Sequence, residues 1–125
     1  MPEGPEVYIS AAYLNKKVRN LNFTKIYSNT KSVVHLPKIS KIVDITSYGK
    51  LIIIKTNDYY VHIHFGITGW LVNKKPKIYK YILYFEDKVF YLQDRRRFSY
   101  IKIRDYNLHV KEINKYGVDI LSKCF

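Results

Sequence analysis

A mainly β fold, an antiparallel sandwich or barrel with a helix at each end, is what this sequence predicts. Three observations predict it. Short runs of β-branched and aromatic residues, separated by turn residues, fill about residues 20 to 104. The stretch before them carries apolar residues at helical spacing, and the stretch after them is weakly helical. The 125 residues are 47% hydrophobic, enough for a single domain with a core.

The elements follow in order. Gly4 caps a helix beginning at Pro5, since proline suits the first helical position. Val7, Ala11, Leu14 and Val18 form one apolar stripe, and Lys16, Lys17 and Arg19 sit at the negative end of the helix. Leu21–Tyr27 reads as a strand, with Ser28-Asn29-Thr30 as a turn. Ile42–Ser47 and Leu51–Lys55 are strands separated by Tyr48-Gly49-Lys50, and Asn57-Asp58 turns into Tyr59–Phe65. In that run Val61, Ile63 and Phe65 alternate with His62 and His64, so the two histidines share a face. Lys74–Lys77 is a basic loop. Tyr79–Phe85, Val89–Leu92 and Phe98–Arg104 are three more strands, and a final helix is expected over about 106–116.

Charge narrows the function. Twenty-two Lys+Arg against ten Asp+Glu leave a formal net charge of +12, which favours a polyanionic partner, most often nucleic acid. The single cysteine, Cys124, excludes an internal disulfide and a cysteine-rich zinc site. His62 and His64 lack an evident third ligand, so they are not expected to hold a metal. The apolar run Leu51–Ile54 is too short to span a membrane, and Met1 runs straight into Pro2-Glu3 without a leader pattern. An intracellular protein is the expectation.

The N-terminus carries chemistry. Removal of Met1 before the small Pro2 would leave a secondary amine. An α-amino group titrates at about 7.7–8.0, well below a lysine, so part of it is nucleophilic near neutrality. Glu3 and Glu6 lie close by in sequence as proton carriers. The competing reading is an ordinary helix start, with acids favoured in the first turn.

Several segments together resemble the Fpg/Nei DNA glycosylases, formamidopyrimidine-DNA glycosylase and endonuclease VIII. They are Pro2-Glu3-Gly4-Pro5-Glu6-Val7, Tyr48-Gly49-Lys50-Leu51, His64-Phe65-Gly66-Ile67-Thr68-Gly69, Asp94-Arg95-Arg96-Arg97-Phe98 and Tyr116-Gly117-Val118-Asp119-Ile120-Leu121. They occur in family order across nearly the whole chain, and Gly4 is closer to the Nei branch. The resemblance implies a sandwich of two antiparallel sheets flanked by helices, with residues 1–125 as the N-terminal catalytic domain. The helix–two-turn–helix and zinc-finger elements of the family's second domain are not in this sequence, so the resemblance implies no cofactor for it.

The resemblance also assigns roles. The Pro2 amine would attack C1′ of a damaged nucleotide, releasing the base and permitting β- and δ-elimination. Glu3 would shuttle protons at the sugar and base. Glu6, at a helix N-terminus, would orient rather than act as an acid. Lys50 would neutralise a phosphate. Ile67, Arg96 and Phe98 match positions that fill the gap left by a flipped nucleotide, an extrusion that costs a few kcal/mol. Phe98 as ordinary core is the alternative. His64, Lys77 and Arg97 would contact DNA, and Arg95 replaces a common proline and adds a phosphate contact. The implied function is base-excision repair of oxidised bases and abasic sites in double-stranded DNA, by a monomer in a DNA-containing compartment (nucleoid, nucleus or viral factory). A non-catalytic duplex- or damaged-DNA-binding module is the alternative, and a single-strand binder stacking bases on some of the 13 Tyr a weaker one.

Overall fold

The computed structural model describes residues 4–30, 33–66, 69–95 and 98–114. Its elements are α1 (Gly4–Val18), β1 (Asn22–Ser28), β2 (Ser40–Tyr48), β3 (Leu51–Thr56), β4 (Tyr60–His64), β5 (Trp70–Val72), β6 (Tyr81–Phe85), β7 (Lys88–Gln93), β8 (Tyr100–Arg104) and α2 (Tyr106–Asn114). The strands are paired antiparallel throughout in the order β5-β7-β6-β1-β2-β3-β4-β8. The β1–β2 junction is short, with only Asn22↔Lys41 and Phe23↔Ser40 in register. Register shifts follow in both strands, after Phe23 in β1 and after Ile42 in β2, and bulges of this kind bend a strand. The order therefore divides there into two four-stranded sheets.

One core joins the two sheets and α1. Phe23, Tyr81, Leu83, Phe85 and Leu92 come from one sheet, and Ile42, Ile52, Ile54, Val61, Ile63 and Ile101 from the other. The expected stripe of Val7, Ala11, Leu14 and Val18 is fully buried against them. Phe23 and Phe85 stand opposite each other in the ladder and stack with centroids 4.5 Å apart.

Helix α1 covers the edge of β2 that β1 leaves unpaired. Asn15 Oδ1 accepts the Ile45 N–H at 3.0 Å, and Arg19 Nε donates to the Val43 carbonyl at 3.2 Å. The helix ends where Asn20 takes a positive φ of 72° and donates its N–H to the Ile42 carbonyl. At the opposite end of the chain, Asp105 caps α2 by accepting the Leu108 N–H at 2.8 Å.

The sequence reading needs three adjustments. Strand β5 is an eighth strand, absent from the predicted set. Strand β8 begins at Tyr100 rather than Phe98, and β6 at Tyr81 rather than Tyr79. Helix α2 is seen over Tyr106–Asn114, and the rest of the expected helix lies outside the described residues.

Candidate active site

The geometry begins with a groove of about 870 Å³ between α1 and β2. Pro5, Tyr8, Ile9 and Asn15 form one wall, and Ile45 through Gly49 the other. The first turn of α1, which also carries the exposed Glu6, thus shares a groove with the β2–β3 turn. That turn has two residues, Gly49 and Lys50, between the paired Tyr48 and Leu51. Gly49 has a φ of +59° with nothing within 4 Å of where a Cβ would stand. Glycine is needed there for its backbone conformation, as in the first position of a type II′ hairpin turn.

Lys50 next meets His64. Leu51 pairs with His64 across β3 and β4, which brings the preceding Lys50 beside the histidine. Burial first, and the Lys50 charge second, hold the His64 imidazole below its ordinary value of 6.5. The ring is stacked on Tyr100 at 5.0 Å with planes 4° apart, and its Nδ1 accepts the Gly66 N–H at 3.0 Å. A neutral His64 therefore carries its proton on Nε2, as a donor.

The chain then turns at Gly66, whose φ is +68°. A Cβ on Gly66 would stand 2.6 Å from the carbonyl carbon of Phe98 and 2.7 Å from the Ser99 nitrogen. A Cβ on Gly69 would stand 2.1 Å from the Phe65 carbonyl oxygen, which accepts the Gly69 N–H at 2.9 Å. Gly66 permits close approach to the Phe98–Ser99 backbone, and Gly69 permits the chain to fold back on Phe65. Phe98, packed by its backbone against Gly66, is 59% exposed, so the core reading of Phe98 is excluded. Arg95, next to Asp94, is also exposed.

Of the residues singled out in the sequence, Glu6 and Lys50 each adjoin a residue that lines the groove, Lys50 acts electrostatically on His64, and Phe98 lies against Gly66, two residues after His64. Lys77 is exposed on the β5–β6 connection, where no described residue ties it to Lys50 or His64. Pro2, Glu3, Ile67, Arg96, Arg97 and the 116–121 segment lie outside the described residues. His62 takes a different place from His64. It is buried, and its Nε2 lies 2.9 Å from Nδ1 of His109 on α2. His109 in turn stacks on Tyr60 at 3.8 Å. Among the described residues no group of three or more His, Cys, Asp or Glu could hold a metal ion. Sequence reasoning passed over His109, although Tyr106 and His109 stand three residues apart on one helical face and both meet Tyr60.

Comparison with known proteins matches residues 1–101 to the family described as formamidopyrimidine-DNA glycosylase N-terminal domain. No curated protein matches the sequence. Among solved structures, a complex of the LlFpg protein with a THF-DNA and an inhibitor superimposes with a TM-score of 0.79 at 18% identity, covering 91% of this chain and 47% of that one. The Lactococcus lactis formamidopyrimidine-DNA glycosylase bound non-covalently to DNA with an AP site gives 0.78 at 19% identity, over 90% and 48%. The MutM (Fpg) protein from Thermus thermophilus gives 0.76 at 21% identity, over 90% and 44%. These likenesses establish the two-sheet fold, and the chain spans about half the length of those relatives.

Proposed function

This chain belongs to the formamidopyrimidine-DNA glycosylase family through that N-terminal domain, and from this premise we propose that it is a DNA base-excision repair glycosylase and abasic-site lyase. The observation that carries the proposal is the family match over residues 1–101, and the groove between the start of α1 and the Gly49 turn, with His64 paired to Leu51 just after that turn, supports it. The solved relative bound to DNA with an AP site supports abasic DNA as a substrate class.

In this reading residues 1–125 are the catalytic domain and Pro2, freed of Met1, is the nucleophile. Its nitrogen bonds to C1′ while the glycosidic bond breaks and the base leaves with the bonding pair and a proton. Glu3 delivers a proton to the ring oxygen as the sugar opens to an iminium. Loss of a C2′ proton then expels the 3′ phosphate with its C–O electron pair, and a second elimination expels the 5′ phosphate. A positioned acid–base group contributes about 10²–10⁴-fold to such steps. Lys50 stabilises the phosphate charge, and Glu6 is an orienting group at the helix start. His64 donates through Nε2, while Ile67, Arg96 and Phe98 occupy the gap left by the extruded nucleotide. Arg97 and Lys77 add phosphate contacts. The partner is damaged duplex DNA, met by a monomer in a compartment that holds DNA. The Nei-like Gly4 belongs to the same proposal.

Borohydride trapping on duplex DNA with an abasic site tests the reading, because reduction turns the iminium into a stable amine link. The full chain without Met1 is expected to give a crosslinked species. Pro2→Gly should lower the yield at least about tenfold, and a chain retaining Met1 should give background only. DNA binding without any crosslink would instead identify a non-catalytic module.

A further inference from the structure

The structure assigns Lys80 as a positioning residue that, with Asp94, clamps the Phe98–Ser99 backbone so that Phe98 is presented outward to DNA. The inference rests on the DNA-repair reading of the 94–99 loop. It deepens that reading by naming what holds the loop.

Two ionisable side chains are buried at the foot of the loop. Asp94 is 0% exposed and Lys80 9% exposed. Asp94 Oδ2 accepts the Ser99 N–H at 2.7 Å. Lys80 Nζ donates to the Ser99 carbonyl oxygen, reaching the loop from the start of β6. Lys80 is itself fixed, since its N–H donates to the Leu92 carbonyl at 2.9 Å and its carbonyl accepts the Asn29 N–H at 2.8 Å. One residue is thus held at both of its backbone polar groups by opposite charges. Hydrogen bonds to charged groups are the stronger kind, and stronger still away from water.

The third side of the clamp is steric. Gly66 presses against Phe98 and Ser99 so closely that a Cβ would not fit. The Ser99 hydroxyl is buried without a hydrogen-bond partner among the described residues. Ser99 is therefore held by its backbone, not by its side chain. Immediately before this gripped backbone stands Phe98, an exposed residue. An apolar side chain fixed in solvent on a rigid backbone is arranged for insertion between bases, because ordering it on binding then costs little entropy. Burying a lysine and an aspartate at a loop foot otherwise opposes stability.

Amide hydrogen exchange and DNA affinity, measured on the full chain, test this. In the wild type the Ser99 amide should exchange about as slowly as the core amide of Ile54. Lys80→Met should speed exchange at Ser99 about tenfold or more and leave Ile54 unchanged. It should also lower the ratio of affinities for a duplex with a tetrahydrofuran abasic analogue and for the same duplex intact about fivefold, with intact-duplex affinity preserved. Lys80→Arg, which keeps a charged donor, should restore both. An unprotected Ser99 amide in the wild type would overturn the clamp, whatever the variants do. So would unchanged exchange in Lys80→Met, or an equal loss of affinity on both duplexes. If the wild type shows no preference for the abasic analogue, the DNA-repair reading of the loop fails, and exchange at Ser99 alone then decides the clamp.

Discussion

Gly69 shows how much one missing methyl can matter. Its Cβ would stand 2.1 Å from the Phe65 carbonyl oxygen, a backbone atom that already accepts the Gly69 N–H. Gly69→Ala is expected to destabilise the protein by about 3 kcal/mol or more, read as a lower denaturant midpoint. The histidines set a pH dependence. Burial followed by the Lys50 charge lowers the His64 pKa, and burial followed by the Lys55 charge lowers that of His109. As pH falls below about 6.5 the unfolded chain takes up these protons before the folded one does. The stability they contribute is full above that pH and is lost as pH falls toward the folded values. Thermal midpoints should drop between about pH 7 and pH 5.5, and His109→Asn should make the drop shallower. An undiminished drop in the variant would show that His109 is not a source. Asp58, lowered mainly by the Ser40 hydroxyl, acts in the same direction from an ordinary value of 3.8 and so does not confuse the measurement. At this scale the glycine-bearing loops were legible in the sequence. Lys80 was not, since no local pattern separates it from the other 21 Lys and Arg.

Elements were legible where periodicity was strong. The four apolar positions of α1 and the Leu51–Ile54 run stated their burial outright. Strand β5 has three half-buried residues and no alternation, so only its ladder with β7 reveals it. Phe98 and Ser99 look like strand residues, yet Asp94 and Lys80 take the Ser99 hydrogen bonds that a ladder would otherwise use. Tertiary partners overrode propensity there. The junction of the two sheets was also hidden, because bulges leave no sequence periodicity of their own. One prediction belongs to this scale. Asn15 stands in for a neighbouring strand by accepting the Ile45 N–H. Asn15→Leu should cost about 1–3 kcal/mol by leaving that donor unmet, measured by urea unfolding. A cost near zero would show that α1 covers the β2 edge by packing alone.

Across the whole molecule, two sheets and a helix set a helix start against a turn that carries Lys50, and the Gly66 loop against Phe98–Ser99, on a chain of net charge +12. Separated by tens of residues in sequence, these parts were recognisable as segments of one family pattern. Their assembly depends on the antiparallel register of β2, β3, β4 and β8, which no single segment displays. A positive charge excess draws DNA non-specifically, so binding alone does not establish catalysis. The chemistry instead requires a covalent bond from one identified nitrogen. The most direct measurement is peptide mapping by mass spectrometry of the borohydride-trapped complex with abasic DNA. The account predicts the reduced sugar on the nitrogen of Pro2, in a peptide lacking Met1. An adduct on Lys50 or any other lysine, with an unmodified N-terminal peptide, would contradict it.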